Sequence, residues 1–115
     1  MVFLKEKTLT HKVVINKYYG GMGLSNEAIE LLAKRKNISL ITIRDRIDLV
    51  NNIPRHDKDL VDIVEELGEK ANGNFASLDI QTIEGNKYLI IDYDGAEEIY
   101  TPERIEKEWT IIEEN

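Results

Sequence analysis

The sequence predicts an α+β fold, with two helices packed on a mixed, mainly antiparallel sheet that ends in a C-terminal β-meander, all within a single domain over residues 1–115. Three observations predict it. Apolar residues recur at helical spacing after Ser25 and again after Asp57, and short β-branched runs precede, separate and follow those two segments. The dipeptides Gly85-Asn86 and Asp94-Gly95 accept the positive φ of two-residue hairpin turns, which joins the last three runs into a meander. A chain of 115 residues has material for one core but not for two.

The first element is a strand over His11–Lys17, whose consecutive Val13, Val14 and Ile15 imply burial on both faces. After Gly20-Gly21-Met22-Gly23, Ser25 is the expected N-cap of the first helix. Ile29, Leu32 and Ala33 share one face, Lys34-Arg35-Lys36 suit the negative end of the dipole, and Asn37 closes the helix. The alternation from Ile38 to Ile43 reads as a second strand. A polar connection through Pro54, Arg55 and His56 leads to the second helix, capped by Asp57 and ended by Asn72-Gly73. Leu60, Ile63, Val64, Leu67 and Ala71 form its apolar stripe, and Asp62, Glu65, Glu66 and Glu69 its acidic back. Three strands follow, Leu78–Ile83, Lys87–Tyr93 and Ala96–Thr101, then Pro102-Glu103-Arg104 as the start of a short helix before Trp109.

Charge and composition narrow the function. No cysteine is present, which removes disulfides, thiol nucleophiles and thiolate metal sites, and two histidines offer little for an imidazole site. The chain has no apolar run of membrane-spanning length and no secretion signal at its start, so a cytoplasmic location is expected. A net charge of -7 speaks against binding a nucleic acid polymer. That total conceals an asymmetry: residues 1–60 hold 11 of the 15 basic and 7 of the 22 acidic side chains, a balance of +4, against -11 for residues 61–115. A small anionic ligand would seek the first half.

The densest local signal is the segment Tyr18-Tyr19-Gly20-Gly21-Met22-Gly23 between strand and helix. Glycines allow close approach of a ligand to the backbone, and a helix N-terminus favours an anion; simple turn chemistry also accounts for them. It is not a P-loop, and Asn26 stands where a dinucleotide fingerprint needs its third glycine. Arg55 can clamp a phosphate or pair with Asp57 or Asp59. His56 fits a solvent-facing capping segment, and turn formation accounts for Asp94. Phe75, outside any periodic pattern, can stack on a base or plug the core edge. Trp109 suits a core or interface anchor.

Asn16-Lys17-x-Tyr19-Gly20-Gly21-Met22-Gly23-Leu24-Ser25, Ile53-Pro54-Arg55-x-Asp57, the segment from Leu60 to Gly73, and Tyr93-Asp94-Gly95 together resemble a family of small phage and prophage proteins, the first-described type of Thoeris anti-defence protein. The resemblance covers most of residues 12 to 109. It implies a non-enzymatic sponge that sequesters a cyclic ADP-ribose-type signal, without a cofactor, in a homodimer or a higher assembly of dimers with ligand sites between protomers. Carried over by residue, it implies a ligand-binding set of Lys17, Tyr19, Gly20, Gly21, Met22, Arg55, Phe75 and Arg104. Met22 stands where the family has Phe, and the spacing from Arg104 to Trp109 departs from the family pattern. The rival expectation is an acidic interaction module that engages a basic partner, such as a host factor, through the back of the second helix and the C-terminal strands.

Overall fold

The computed structural model describes residues 9–102. Its elements run β1 (Thr10–Asn16), α1 (Asn26–Lys36), α2 (Ile43–Asn52), α3 (Lys58–Leu67), a 3₁₀ turn (Gly68–Ala71), β2 (Leu78–Glu84), β3 (Leu89–Tyr93) and β4 (Ala96–Tyr100). The fold is α+β, but two features of the expected architecture are corrected. The described residues form three helices, where two were expected, and two separate two-stranded antiparallel sheets, β1–β2 and β3–β4, replace the single sheet and its meander.

The physical reason lies in β1. Val13, Val14 and Ile15 are all fully buried, so both faces of this strand need cover. Val14 joins Leu32, Leu60, Ile63 and Val64 in a cluster under α1 and α3, with Leu78 and Ile80 of β2 packed against it. Val13 and Ile15 point the other way, into a second cluster with Ile83 of β2 and Ile99 of β4, flanked by Tyr88 and Ile90. The β1–β2 sheet is therefore a middle layer between the helices and the β3–β4 ribbon. A meander lying in one sheet would leave one face of β1 in water, at a cost of about 1.5–3 kcal/mol for each exposed aliphatic side chain.

β1 and β2 pair over seven residues, from Thr10 opposite Glu84 to Asn16 opposite Leu78. The Gly85 N–H donates to the Leu9 carbonyl at 2.7 Å, so Gly85-Asn86 ends this ladder and releases the chain toward the ribbon; it does not close a β2–β3 hairpin. Asp94-Gly95 does close a hairpin, with Tyr93 opposite Ala96.

The expected strand Ile38–Ile43 is also corrected. Thr42 begins a helix: its hydroxyl accepts from the Asp45 N–H at 3.2 Å while the Asp45 carboxylate accepts from the Thr42 N–H at 2.9 Å, a reciprocal capping box for α2. The other two caps match their sequence signals. Ser25 accepts from the Ala28 N–H, Asp57 accepts from the Leu60 N–H, and Asn37 closes α1 in the left-handed region at φ 57°.

Candidate functional site

Asn16, the last residue of β1 and fully buried, organises the region around the glycine loop. Its side-chain N–H groups donate to the carbonyls of Tyr18 and Gly95, each at 2.7 Å, and its side-chain oxygen accepts from the Ser77 N–H at 2.8 Å. One amide thus ties the glycine loop, the β3–β4 turn and the segment before β2. Sequence reasoning missed it; its only signal was a polar residue ending an aliphatic run.

The glycines serve this junction. The Gly20 N–H donates to the Asp94 carbonyl at 3.0 Å, and Gly20 (φ 118°) passes so close to Phe75 that a Cβ there would lie 2.9 Å from the Phe75 Cβ. Gly95 (φ 91°) abuts the Gly20 and Gly21 backbone, leaving no room for a side chain. Close approach is thus between chain segments. The cap of α1 is tied internally as well: the Ser25 N–H donates to the Ala71 carbonyl, and the Ser25 hydroxyl to the Lys70 carbonyl at 2.6 Å.

Beside this junction a cleft of about 400 Å³ opens on the outer face of the ribbon, lined by Lys17 and Tyr19 from the loop after β1, by Ile91 and Tyr93 of β3, and by Ala96, Glu97 and Glu98 of β4. That volume falls in the range of small-molecule sites. Tyr19 and Tyr93 are 59% and 73% exposed, so their rings are available to a planar ligand. Among the described residues, no carboxylate is paired with the Lys17 ammonium.

Arg55 does not line this cleft: it stands behind it, with its fork occupied. Its two terminal nitrogens bind the two Glu97 oxygens at 2.6 and 2.8 Å, and Glu97 also accepts from the Asn16 backbone N–H at 2.7 Å. Glu97 is 4% exposed and Arg55 half-buried, so the bidentate pair neutralises the arginine and fixes a carboxylate on the wall of the cleft. The expected rivals for Arg55 were Asp57 and Asp59; those two instead hold Lys36, at 2.7 and 3.3 Å. The Asp57 hydrogen bond raises the pKa of Lys36.

Phe75 is 79% exposed, which removes the core-plug reading. It adopts φ 63°, a conformation that bulky side chains avoid, and abuts Gly20 beside the cleft without lining it. Gly21 is half-buried in the same loop. Met22 turns inward and packs against the helix-side cluster, so it is a core neighbour in this chain. Arg104 and Trp109 lie outside the described residues. His56 receives a partner that the sequence did not suggest: its Nδ1 lies 2.7 Å from the Tyr88 hydroxyl, whose pKa is raised by burial.

A second cleft, of about 450 Å³, lies between the end of α1 and α2, with Ile38, Leu49 and Ile53 among its lining residues and Lys36, Asp48 and Asp57 at its rim. It is the larger one, yet its single cation is held by two aspartates, so it offers nothing to an anion. The acidic back of α3 is partly neutralised within the chain, since Glu65 pairs with Lys12 and Glu66 with Arg35.

Among the described residues no helix is long and apolar enough to cross a membrane, and no group of three metal-ligating side chains converges. No protein-family model, curated protein or solved structure matches this chain.

Proposed function

We propose that this protein binds a cyclic ADP-ribose-type signalling nucleotide in the cleft beside the glycine loop and sequesters it without chemical change, as an anti-defence protein of a phage or prophage acting in the host cytoplasm. The observation that carries the reading is the pairing of two exposed tyrosine rings, Tyr19 and Tyr93, with an ammonium at Lys17 in one cleft. Stacking of a base on such rings contributes about 1–3 kcal/mol per base, and a charge-assisted hydrogen bond to phosphate about 1.5–3 kcal/mol. In this reading Lys17 supplies the charge, the tyrosines the faces, and Phe75 a further ring at the rim. Arg55 acts one step back by holding Glu97. A second protomer closes the cleft over the ligand.

The test is equilibrium dialysis of the protein against cyclic ADP-ribose, followed by heat denaturation and chromatography of what is released. Sequestration predicts retention by the native protein, release of the unaltered cyclic nucleotide, and loss of retention in Lys17→Ala and Tyr93→Ala. Release of linear ADP-ribose would make the protein a hydrolase, and absence of retention would end the nucleotide reading.

A further inference from the structure

The two histidines of the chain are far apart in sequence, and the fold brings both to one small cleft. His11 follows the alternation of β1, so it shares the ribbon-side face with Val13 and Ile15, and its partner across the ladder is Ile83. His56 arrives by another route. The Val14 N–H donates to the Arg55 carbonyl at 2.8 Å, which lays the connection before α3 along the edge of β1 and sets His56 beside the strand. The cleft, of about 190 Å³, is lined by these two rings with Ile83, Asn86 and Tyr88. That is below the range of roughly 300–1,000 Å³ typical of small-molecule sites, but roomy for an ion with a few waters.

Both rings are held by one nitrogen only. A carbonyl oxygen can only accept, so the 2.7 Å contact between the His11 Nδ1 and the Gly85 carbonyl fixes the proton on Nδ1 and leaves Nε2 with its lone pair. The His56 Nδ1 lies 2.7 Å from the Tyr88 hydroxyl, which can accept from it in the same tautomer, and the two rings meet edge to face at 5.7 Å. Tyr88 in turn packs on the cluster of Val13, Ile15, Ile83 and Ile99, so this support is itself anchored. An Nδ1–H given to a fixed oxygen is the outer support by which metal-binding imidazoles are oriented. We infer that His11 and His56 bind a late first-row divalent ion, of the class of Ni²⁺, Cu²⁺ and Zn²⁺, through their Nε2 atoms, with water in the remaining positions. Two neutral nitrogens select that class: no carboxylate lines the cleft, as Mg²⁺ or Ca²⁺ would require. Among the described residues no third ligand completes the set, so the ion is exchangeable, unlike that of a four-ligand structural site. When bound, it ties β1 to the connection before α3. None of the lining residues is shared with the tyrosine cleft, so the inference stands independently of the nucleotide reading.

The test is calorimetric titration of the full, untagged chain, at roughly 10–100 μM, with nickel chloride and separately with magnesium chloride. One equivalent of Ni²⁺ is expected to bind and to raise the melting temperature, an effect that EDTA reverses, while Mg²⁺ should do neither. His11→Ala and His56→Ala should each weaken Ni²⁺ binding at least about tenfold, with an unchanged far-ultraviolet spectrum because both side chains are exposed. Tyr88→Phe keeps the ring and removes the hydroxyl, and should also weaken binding, by about tenfold. The Cu²⁺-loaded chain gives a second readout that does not depend on the variants folding: its electron paramagnetic resonance spectrum should carry nitrogen hyperfine structure from two imidazoles. Ni²⁺ binding that persists in both histidine variants would assign the ion to surface carboxylates and overturn the inference. So would the absence of one-equivalent binding in the wild type, or a copper spectrum with fewer than two imidazoles.

Discussion

Phe75 occupies the space that a side chain on Gly20 would need: a Cβ on Gly20 would lie 2.9 Å from the Phe75 Cβ and 3.1 Å from its carbonyl oxygen. The contact ranks the loop glycines. Gly20→Ala meets both a clash and an unfavourable φ of 118°, whereas Gly21→Ala, at φ 94° with nothing within 4 Å, meets only the backbone penalty. Gly21→Ala should cost about 1–2 kcal/mol and Gly20→Ala more than that, as read by urea denaturation of both variants.

Phe75 itself pays a backbone penalty with little burial in return. Phe75→Gly relieves the left-handed φ of 63° and should leave the melting temperature of the free protein unchanged or raise it, by up to about 1 kcal/mol of stability. If Phe75 contributes its ring to the ligand, the same variant loses affinity. A Phe75→Gly protein that is both less stable and fully active would contradict the role given to this residue.

Arg55 and Glu97 should behave as one unit. Arg55→Ala leaves a carboxylate that is 4% exposed without its cation, so a loss of about 3–5 kcal/mol is expected. Glu97→Gln keeps an acceptor for the Asn16 N–H and should cost less. In a double-mutant cycle, Arg55→Met with Glu97→Leu should recover part of the loss. Purely additive effects would mean that the pair is not coupled.

The Lys36–Asp57 pair gives stability a pH dependence. Burial pushes the Asp57 pKa up, but the Lys36 ammonium and the Leu60 N–H outweigh it and hold it below its ordinary 3.8. The folded chain therefore binds this proton less readily than the unfolded chain. The contribution is complete above about pH 4 and is lost as pH falls through the folded-state pKa. The raised pKa of Lys36 acts at the other end, where its contribution is present below 10.5 and lost at higher pH. Asp57→Asn retains a good helix cap while removing the charge. It should flatten the acid limb of melting temperature against pH and leave α3 intact by circular dichroism.

The helix caps were legible in the sequence because each is a local event: Ser25, Asn37 and Asp57 act on backbone groups within a few residues. The signal for α2 was present too, as Thr42 three residues before Asp45. The alternation of Ile38, Leu40 and Thr42 suggested a strand instead, but among the described residues no partner strand pairs with it. Strand pairing was hidden for a different reason. Gly85-Asn86 fits a hairpin by composition, while the partner of β2 is a strand some 70 residues earlier, and nothing within the turn encodes that choice. At the site, the sequence identified Lys17, Tyr19 and Arg55 as special. It could not show that Glu97 takes the arginine or that Tyr93 joins the cleft, since both come from a hairpin whose placement depends on the whole core.

The bonds of Asn16 run to positions 61, 79 and 81 residues away: the Ser77 N–H, the Gly95 carbonyl and the Glu97 carboxylate. Contacts of such separation form only after most loop-closure entropy has been spent. The cleft is therefore expected to form late in folding, since its framework needs several distant segments in place at once. Its framework should open only when the whole molecule does, so the Ser77 amide should exchange with deuterium at the global unfolding rate. No fragment ending before the last hairpin can hold the cleft, and any substitution that weakens the distant core will be felt there as a loss of competent molecules.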